Sequence, residues 1–164
     1  MEIEKKFLIK ALPENLDSYQ KKVIEQGYLC ESPTVRIRKS NEDYILTYKS
    51  RLGTEHIHAD ARVNQEVEVP LSREGYEHLK EKIDGYPVEK TRYLIPLPDG
   101  HTGELDVFGG RLSGLYLVEV EFADADEVGK FSPPEWFGED VSGDIRYTNS
   151  FLALEEDLSF ITEN

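Results

Sequence analysis

The sequence predicts an α+β fold in which antiparallel strands close into a barrel, with charged side chains inside and helices outside. One observation behind this prediction is a repeated pattern of charge, spacer, charge, because a β-strand points such alternate residues to the same face. Cations and carboxylates occupy separate copies of the pattern. It recurs at Glu2-Ile3-Glu4, Arg36-Ile37-Arg38, Glu66-Val67-Glu68, Lys90-Thr91-Arg92, Glu104-Leu105-Asp106 and Glu119-Val120-Glu121.

One strand of this kind is typical of an open sheet with one apolar and one solvated face. Six such strands, sorted by the sign of their charge, indicate instead a sheet that closes on itself, so that the charged faces line a lumen. The apolar faces then form an outer surface for helices to cover. A second observation is that the predicted helices are set apart from the strands, as in α+β proteins rather than in doubly wound sheets.

Hydrophobic alternation and turn residues place the strands. The segment Asn41-Glu42-Asp43 predicts a hairpin turn between two of them, and Pro98-Asp99-Gly100 predicts another. The predicted strands cover residues 2–10, 34–39, 44–50, 63–69, 88–95, 103–108 and 115–122.

Four helices are predicted from their end signals. Pro13 suits a first helical turn and Gly27 a helix end, which predicts a helix over residues 13–27. Ser72 is a good N-cap for a helix that runs to residue 83. A short helix is expected over residues 124–130 and a final one over 149–158, with residues 133–138 as a loop.

Length and composition limit the class of protein. The 164 residues predict a single domain over 1–164, since no Gly/Ser-rich linker interrupts them. The net charge of −14 argues against a nucleic-acid partner, which would need a basic outer surface. The N-terminus is charged from Glu2 onward and no apolar run reaches membrane-spanning length, so we expect a cytoplasmic protein with no membrane partner, either monomeric or homodimeric. Cys30 is the single cysteine, which fits a reducing compartment.

Taken in order, these motifs resemble the CYTH family of triphosphate tunnel metalloenzymes. Glu2, Glu4 and Lys6 match the family's ExExK signature. The similarity covers nearly the whole chain and is greatest to short bacterial inorganic tripolyphosphatases. Further matching segments are 34–38, 47–49, Glu66-Val67-Glu68, 88–93, Glu104-Leu105-Asp106, Glu119-Val120-Glu121, 146–149 and the loop at 133–138.

The resemblance implies a closed eight-stranded antiparallel tunnel with helices outside, which hydrolyses a small-molecule triphosphate with Mg²⁺, or Mn²⁺, as the metal ion. Carboxylates would hold the metal, since Mg²⁺ prefers oxygen ligands. By the resemblance these are Glu2, Glu4, Glu119 and Glu121 with Asp106 nearby, and Glu66 and Glu68 for a second metal ion.

Guanidinium groups make bidentate contacts to phosphate oxygens, and lysines add point charges along a polyphosphate. The expected substrate-binding set is Lys6, Arg36, Arg38, Lys49, Arg92 and Arg146. By the resemblance, Tyr28 and Lys90 match a pair that helps activate the attacking water. Asn64 departs from the family pattern, because many relatives have an arginine at this position.

Three functions stay open from the sequence. The first is hydrolysis of inorganic tripolyphosphate to pyrophosphate and phosphate. The second is a class IV adenylate cyclase or a thiamine or nucleoside triphosphatase, because the motifs do not identify the residues that select an organic group. The third is a non-catalytic polyphosphate-binding module, although pure binding of an anion would not need the carboxylates.

Overall fold

The strands form one closed antiparallel barrel. The computed structural model describes residues 2–52 and 62–162, and in these ranges the strand order is β5-β4-β3-β2-β6-β7-β8-β1-β9. An additional pairing of β5 with β1 closes eight of these strands into a ring, and β9 extends the sheet from β1. The strands are β1 (Glu2–Ile9), β2 (Gln20–Cys30), β3 (Thr34–Ser40), β4 (Asp43–Ser50), β5 (Arg62–Pro70), β6 (Asp84–Pro96), β7 (Thr102–Phe108), β8 (Tyr116–Glu121) and β9 (Phe137–Asp140).

The helices are short and begin at polar caps. Ser72 caps α1 (Arg73–Lys80), accepting a hydrogen bond from the Gly75 N–H, and Asp124 caps α2 (Ala125–Lys130) in the same way. The C-terminal part contains α3 (Asn149–Leu152) and α4 (Ser159–Thr162). No helix in the described ranges is long and apolar enough to cross a membrane.

The predicted helix over residues 13–27 is wrong, because most of it belongs to β2. This strand pairs with β3 on one side and β6 on the other, from Gln20 to Cys30. Hydrogen bonds on both edges outweigh a local preference for helix, since strand formation depends on tertiary pairing. Gly27 also allows a close approach, because a Cβ there would lie 2.8 Å from Ile83 Cδ1.

Other boundaries also differ from the sequence prediction. The segment expected to be a loop over residues 133–138 ends in β9, which pairs with β1 and contributes Phe137 to the outer core. Of the single helix expected over residues 149–158, only α3 at Asn149–Leu152 is helical, and α4 begins beyond it at Ser159. The helix that begins after Ser72 ends at Lys80, earlier than expected. The two-residue turn between β3 and β4 is confirmed, with Asn41 at a φ of 53°.

The outer core covers one side of the barrel. Outward-facing residues of β1, β7 and β8 pack against β9, α2 and the segment between them. The buried members of this cluster are Ile3, Phe7, Ile95, Leu97, Leu105, Val118, Val120, Phe122, Val128 and Phe137. On the other side α1 packs against β3 and β4, where the rings of Tyr76 and Tyr44 lie 5.1 Å apart. The charges therefore face inward, as predicted.

One end of the barrel interior is apolar rather than charged. Val88, Phe108 and Leu117 share the strand parity of the inward-facing charges, but they belong to a second buried cluster. Leu152 and Ala153 of the C-terminal segment join this cluster, and Arg111 donates hydrogen bonds to the carbonyl oxygens of Leu152 and Glu155. The C-terminal segment thus closes this end and leaves the charged part of the lumen open toward the other.

Candidate functional site

The charged part of the lumen contains two adjacent cavities. The main cavity measures about 230 Å³ and the inner cavity, beside the C-terminal segment, about 50 Å³. Both are lined by Glu4, Arg36, Lys49 and Asn149. The main cavity is also lined by Glu2, Lys22, Ile24, Arg38, Ser40, Ile45, Glu66, Glu68, Arg92, Glu104, Glu119 and Glu121, and the inner cavity by Lys6, Tyr28, Thr34, Asn64, Thr148 and Ser150.

Three carboxylates converge on one point of the main cavity. One oxygen each of Glu2, Glu4 and Glu121 lies within 4.8 Å of the others. Strand pairing brings them together, because Glu4 is the direct partner of Glu121 across β1 and β8. Burial and the neighbouring carboxylates raise the pKa of Glu4 well above its ordinary value, and burial and the charges of Glu104 and Glu2 raise the pKa of Glu121 to about 7.

This carboxylate cluster fits a hard divalent cation. Its donors are all carboxylate oxygens, the ligand type that Mg²⁺ and Mn²⁺ prefer. Raised pKa values mean that the charged carboxylates lack sufficient positive charge nearby, and a bound cation would supply it. Lys49 compensates only part of the charge, with its Nζ 2.9 Å from Glu2 Oε1 and 3.3 Å from Glu66 Oε2.

Two arginines on the opposite wall need negative charge, as the carboxylates need positive charge. Arg36 and Arg38 make no ion pair with any residue in the described ranges, although Arg36 is only 4% exposed. Arg38 donates from Nε to Gln26 Oε1 at 2.9 Å, and Arg36 donates to Thr47 Oγ1 at 3.2 Å while its own Nε has no partner. Burial, with the charges of Arg36 and Arg92, lowers the pKa of Arg38 to about 9. An anion between these side chains would stabilise both.

Asp106 takes a different position from the one predicted. Its carboxylate accepts a bidentate pair of hydrogen bonds from Arg92 at 2.7 and 2.9 Å, and it lies 2.8 Å from Lys90 Nζ. These partners lower its pKa although burial opposes the shift. Asp106 therefore lies outside the cluster of Glu2, Glu4 and Glu121 and is paired with two cations, while its predicted part in metal binding stays a prediction.

Glu119 and Lys6 form a similar pair. Lys6 Nζ lies 3.4 Å from Glu119 Oε1 and donates to the Tyr147 carbonyl oxygen at 2.8 Å. Although burial opposes it, Lys6 and Arg92 lower the pKa of Glu119 well below its usual range. Glu119 lines the main cavity without being one of the three convergent carboxylates. Glu66 and Glu68, both on β5, also line the main cavity.

The two residues predicted to activate water lie at different depths. Tyr28 is 5% exposed and lines the inner cavity. The side chain of Lys90 has no exposed surface and lies behind Asn149, to whose Oδ1 it donates at 3.3 Å. Burial lowers the pKa of Lys90 to about 7, with Arg92 and Arg38 acting in the same direction and Asp106 opposing them.

Arg146 is not brought to the lumen. Its guanidinium lies at the surface, paired with Asp144 Oδ2 at 2.7 Å, and it lines neither cavity. Its position in a 3-10 turn beyond the strands explains this, because strand parity does not apply there.

Sequence reasoning missed three residues of the site. Lys22 lies in the segment that was predicted to be a helix, so strand parity was not applied to it. Glu104 was given no role, but its Oε2 lies 3.0 Å from Arg92 Nη1. Asn149 belongs to a matched motif, and only the structure shows that it borders both cavities.

Known proteins resemble the chain over almost its full length. An inorganic triphosphatase of Nitrosomonas europaea is 42% identical over 156 residues, which are 93% of this chain and 97% of that protein. An inorganic triphosphatase of Acetivibrio thermocellus is 36% identical over 154 residues, 92% of each chain. A solved crystal structure of an inorganic triphosphatase is 40% identical, with a TM-score of 0.69, and covers 96% of this chain and 97% of its own.

No family model matches the chain. The identities to these relatives nevertheless extend over nearly the whole of both sequences, and the closed barrel and its charged lumen agree with the fold that the motifs imply. The chain belongs to the CYTH family of triphosphate tunnel enzymes.

Proposed function

We propose that this protein hydrolyses inorganic tripolyphosphate to pyrophosphate and phosphate, and that the reaction depends on a divalent metal ion, Mg²⁺ or in its place Mn²⁺. The observation that carries the proposal is incompletely compensated charge on two walls of the lumen, positive on one wall and negative on the other. Arg36 and Arg38 on one wall have no anionic partner within residues 2–52 and 62–162, and Glu2, Glu4 and Glu121 converge on the other. A polyphosphate with a bound metal ion carries both missing charges. The relatives named inorganic triphosphatase support the same substrate.

The carboxylates would divide the metal sites between them. Glu2, Glu4 and Glu121 would hold one ion, and Glu66 with Glu68 a second, further along β5. A bound ion supplies positive charge to the phosphate oxygens and lowers the pKa of a coordinated water. The protein's own part is to hold the phosphate chain between the two walls, since phosphoryl transfer is catalysed mainly by positioning and charge stabilisation.

The cations have separate parts in this scheme. Arg36 and Arg38 line the main cavity and would donate to phosphate oxygens, where charge develops as the bond to the leaving group breaks. Lys6 adds positive charge beside Glu119, and Lys49 adds it beside Glu2. Arg92 is held by Asp106 and Glu104, so it acts as a fixed charge on the wall. Tyr28, beside the inner cavity, orients the attacking water, and Lys90 supports it through Asn149.

One incubation separates this function from the alternatives. Purified protein with Mg²⁺ receives tripolyphosphate, ATP or thiamine triphosphate, and phosphate, pyrophosphate and cyclic AMP are followed. We expect equal amounts of phosphate and pyrophosphate from tripolyphosphate, and none after chelation of the metal. Cyclic AMP from ATP would identify a cyclase, preference for thiamine triphosphate an organic triphosphatase, and binding without products a polyphosphate-binding module. Any of these three results would contradict the proposal.

A further inference from the structure

Two arginines of the lumen lie directly opposite acceptors that differ in charge. Arg92 is the direct partner of Asp106 across β6 and β7, and its Nε donates to Asp106 Oδ1 at 2.7 Å. Arg38 is the direct partner of Gln26 across β2 and β3, and its Nε donates to Gln26 Oε1 at 2.9 Å. The two pairs share the same cross-strand arrangement, and they differ in that the first acceptor is charged and the second is neutral.

The neutral acceptor orients Arg38 without compensating its charge. Two carboxylates compensate the charge of Arg92. Arg38 lines the main cavity and makes no ion pair with any residue in the ranges 2–52 and 62–162. Arg36 repeats the pattern, because its acceptor across β3 and β4 is the hydroxyl of Thr47. A guanidinium that is held by an uncharged group keeps its full charge for an anion in the lumen.

Packing alone does not account for a glutamine at position 26. Gln26 is 0% exposed, and its Nε2 has no hydrogen-bond partner among the residues that the structure describes. Arginine is only a donor, so Oε1 has to face Arg38 and Nε2 has to point away from it. A buried donor without a partner lowers stability, whereas an apolar residue of similar size would bring no such donor. The useful part of this side chain is therefore its neutral oxygen opposite Arg38.

We propose that Gln26 is a positioning residue for the reaction, whose neutral amide oxygen fixes the direction of the Arg38 guanidinium and leaves the charge of this guanidinium to the phosphate chain. The inference rests on the proposed function for the identity of the chain. It adds a residue that is not among the described lining residues of either cavity. A carboxylate in the same place would also orient Arg38, but it would compensate the charge, as Asp106 does for Arg92. Residue 26 thus has to accept a hydrogen bond and has to be uncharged.

Two substitutions of Gln26 separate its charge from its hydrogen bond. Gln26→Glu keeps the acceptor and adds a negative charge, whereas Gln26→Met keeps the size and the neutrality and removes the acceptor. Gln65→Glu is the matched control, because it adds the same charge at an exposed position of β5 on the outward parity. Affinity is measured by calorimetric titration of a methylene-bridged, non-hydrolysable triphosphate at saturating Mg²⁺. A urea unfolding curve accompanies each titration.

We expect Gln26→Glu to weaken binding of this analogue by about 10-fold or more, because it cancels one positive charge beside the phosphate chain. Gln26→Met should weaken binding less, and Gln65→Glu should bind as the wild type does. The free energy of unfolding of Gln26→Glu should equal or exceed that of the wild type, since the guanidinium of Arg38 gains a counter-charge. A role in the fold alone predicts the opposite order of the two variants, because glutamate preserves the hydrogen bond and methionine does not.

The inference would be overturned by equal affinity of Gln26→Glu and Gln65→Glu, by weaker binding in Gln26→Met than in Gln26→Glu, or by no binding to the wild type. If Gln26→Met does not unfold cooperatively, Gln26→Leu takes its place with the same expected order. A combined variant shows whether Gln26 acts through Arg38. Gln26→Met added to Arg38→Ala should cause no further loss of affinity, and an additive loss would contradict the positioning role.

The binding measurement does not depend on turnover, so the two proposals can fail separately. If the wild type binds the analogue with this dependence on Gln26 but does not hydrolyse tripolyphosphate, the proposed function fails and the positioning role of Gln26 stands. If tripolyphosphate is hydrolysed but Gln26→Glu binds the analogue as tightly as Gln65→Glu does, the positioning role fails and the proposed function stands.

Discussion

Lys90 Nζ lies 2.8 Å from Asp106 Oδ2, and the side chain of neither residue is more than 1% exposed. Arg92 shares the same carboxylate through two hydrogen bonds. One buried carboxylate thus neutralises two cations in the wall of the lumen. This arrangement makes Asp106 a structural charge for the site, because it holds Lys90 and Arg92 in place.

Removal of this carboxylate should destabilise the fold. Asp106→Asn leaves Lys90 without its carboxylate partner and Arg92 with Glu104 alone, and breaking a buried pair typically costs about 3 to 5 kcal/mol. Asp144→Asn is the matched control, since it also removes an arginine's partner, but at the surface, where a pair contributes about 0 to 1 kcal/mol. Urea unfolding of both variants at pH 7 measures the difference. Equal losses in the free energy of unfolding would show that the buried Asp106 contributes no more to stability than a surface ion pair does.

Two glutamates should be needed for metal binding. Glu4→Gln and Glu121→Gln each remove a ligand from the cluster while keeping the size of the side chain. We expect Mg²⁺ affinity to fall by at least the roughly 10- to 100-fold that follows loss of an outer-shell partner. Isothermal titration of Mg²⁺ with a non-hydrolysable triphosphate present measures it, and the exposed Glu139→Gln serves as the control. Unchanged affinity in both cluster variants would refute the assignment.

Metal binding should release protons below about pH 7. The pKa of Glu121 is raised to about 7, so its carboxyl is largely protonated at pH 6 and must lose the proton to coordinate an ion. Apparent Mg²⁺ affinity should therefore fall as the pH drops from 8 to 6, by about 10-fold per pH unit for each proton released. Titrations at pH 6.5 in two buffers of different ionisation enthalpy count the protons. A count of zero, or a count unchanged in Glu121→Gln, would contradict the raised pKa.

The raised pKa of Glu121 also affects the stability of the metal-free protein. A carboxyl whose pKa is raised on folding contributes stability at low pH and loses it as the pH rises through the folded-state value. For Glu121 this window lies between its ordinary pKa of 4.5 and about 7. Mg²⁺ should restore the lost stability above pH 7, because it binds the charged form in the folded protein.

Strand parity predicted most of the site because it fixes the direction of a side chain. It predicted that Glu2, Glu4, Glu121, Arg36 and Arg38 face the lumen, whereas the grouping of the glutamates was implied by the family resemblance. Parity does not tell which charges pair with each other, so it does not predict that Lys90 and Arg92 both engage Asp106. This information lies in the register between β6 and β7, where Arg92 is opposite Asp106.

The parts of the fold that the sequence did not predict depend on distant contacts. Residues 20–27 combine charged and apolar residues in a way that suits a helix, and only pairing with both β3 and β6 makes them a strand. The C-terminal segment likewise contains two short helical turns, because it is fitted to the end of the barrel by contacts of Leu152 and by Arg111. In this segment Asn149, at the start of α3, borders the lumen, whereas Arg146, in the 3-10 turn before it, lies at the surface.

The unpaired arginines should be needed for turnover. Arg36→Ala and Arg38→Ala should each raise KM and lower kcat, because contacts to phosphate oxygens strengthen as charge develops in the transition state. Each loss should cost about 2 to 4 kcal/mol of transition-state stabilisation. Steady-state kinetics with tripolyphosphate measures this. Arg146→Ala is the comparison, since the surface position of Arg146 predicts wild-type kinetics, whereas a loss as large as that of Arg36→Ala would support its assignment from the sequence.

Tyr28→Phe separates water activation from binding, because it keeps the ring and removes only the hydroxyl. Tyr28 borders the inner cavity and also belongs to the apolar cluster at that end of the barrel, so both a chemical and a packing role agree with its position. If the hydroxyl orients the attacking water, tripolyphosphate should bind normally while single-turnover hydrolysis at saturating Mg²⁺ slows by roughly 10²- to 10⁴-fold. A melting curve shows whether packing has changed. A wild-type rate at every pH would restrict Tyr28 to packing and leave the metal-bound water as the activated nucleophile.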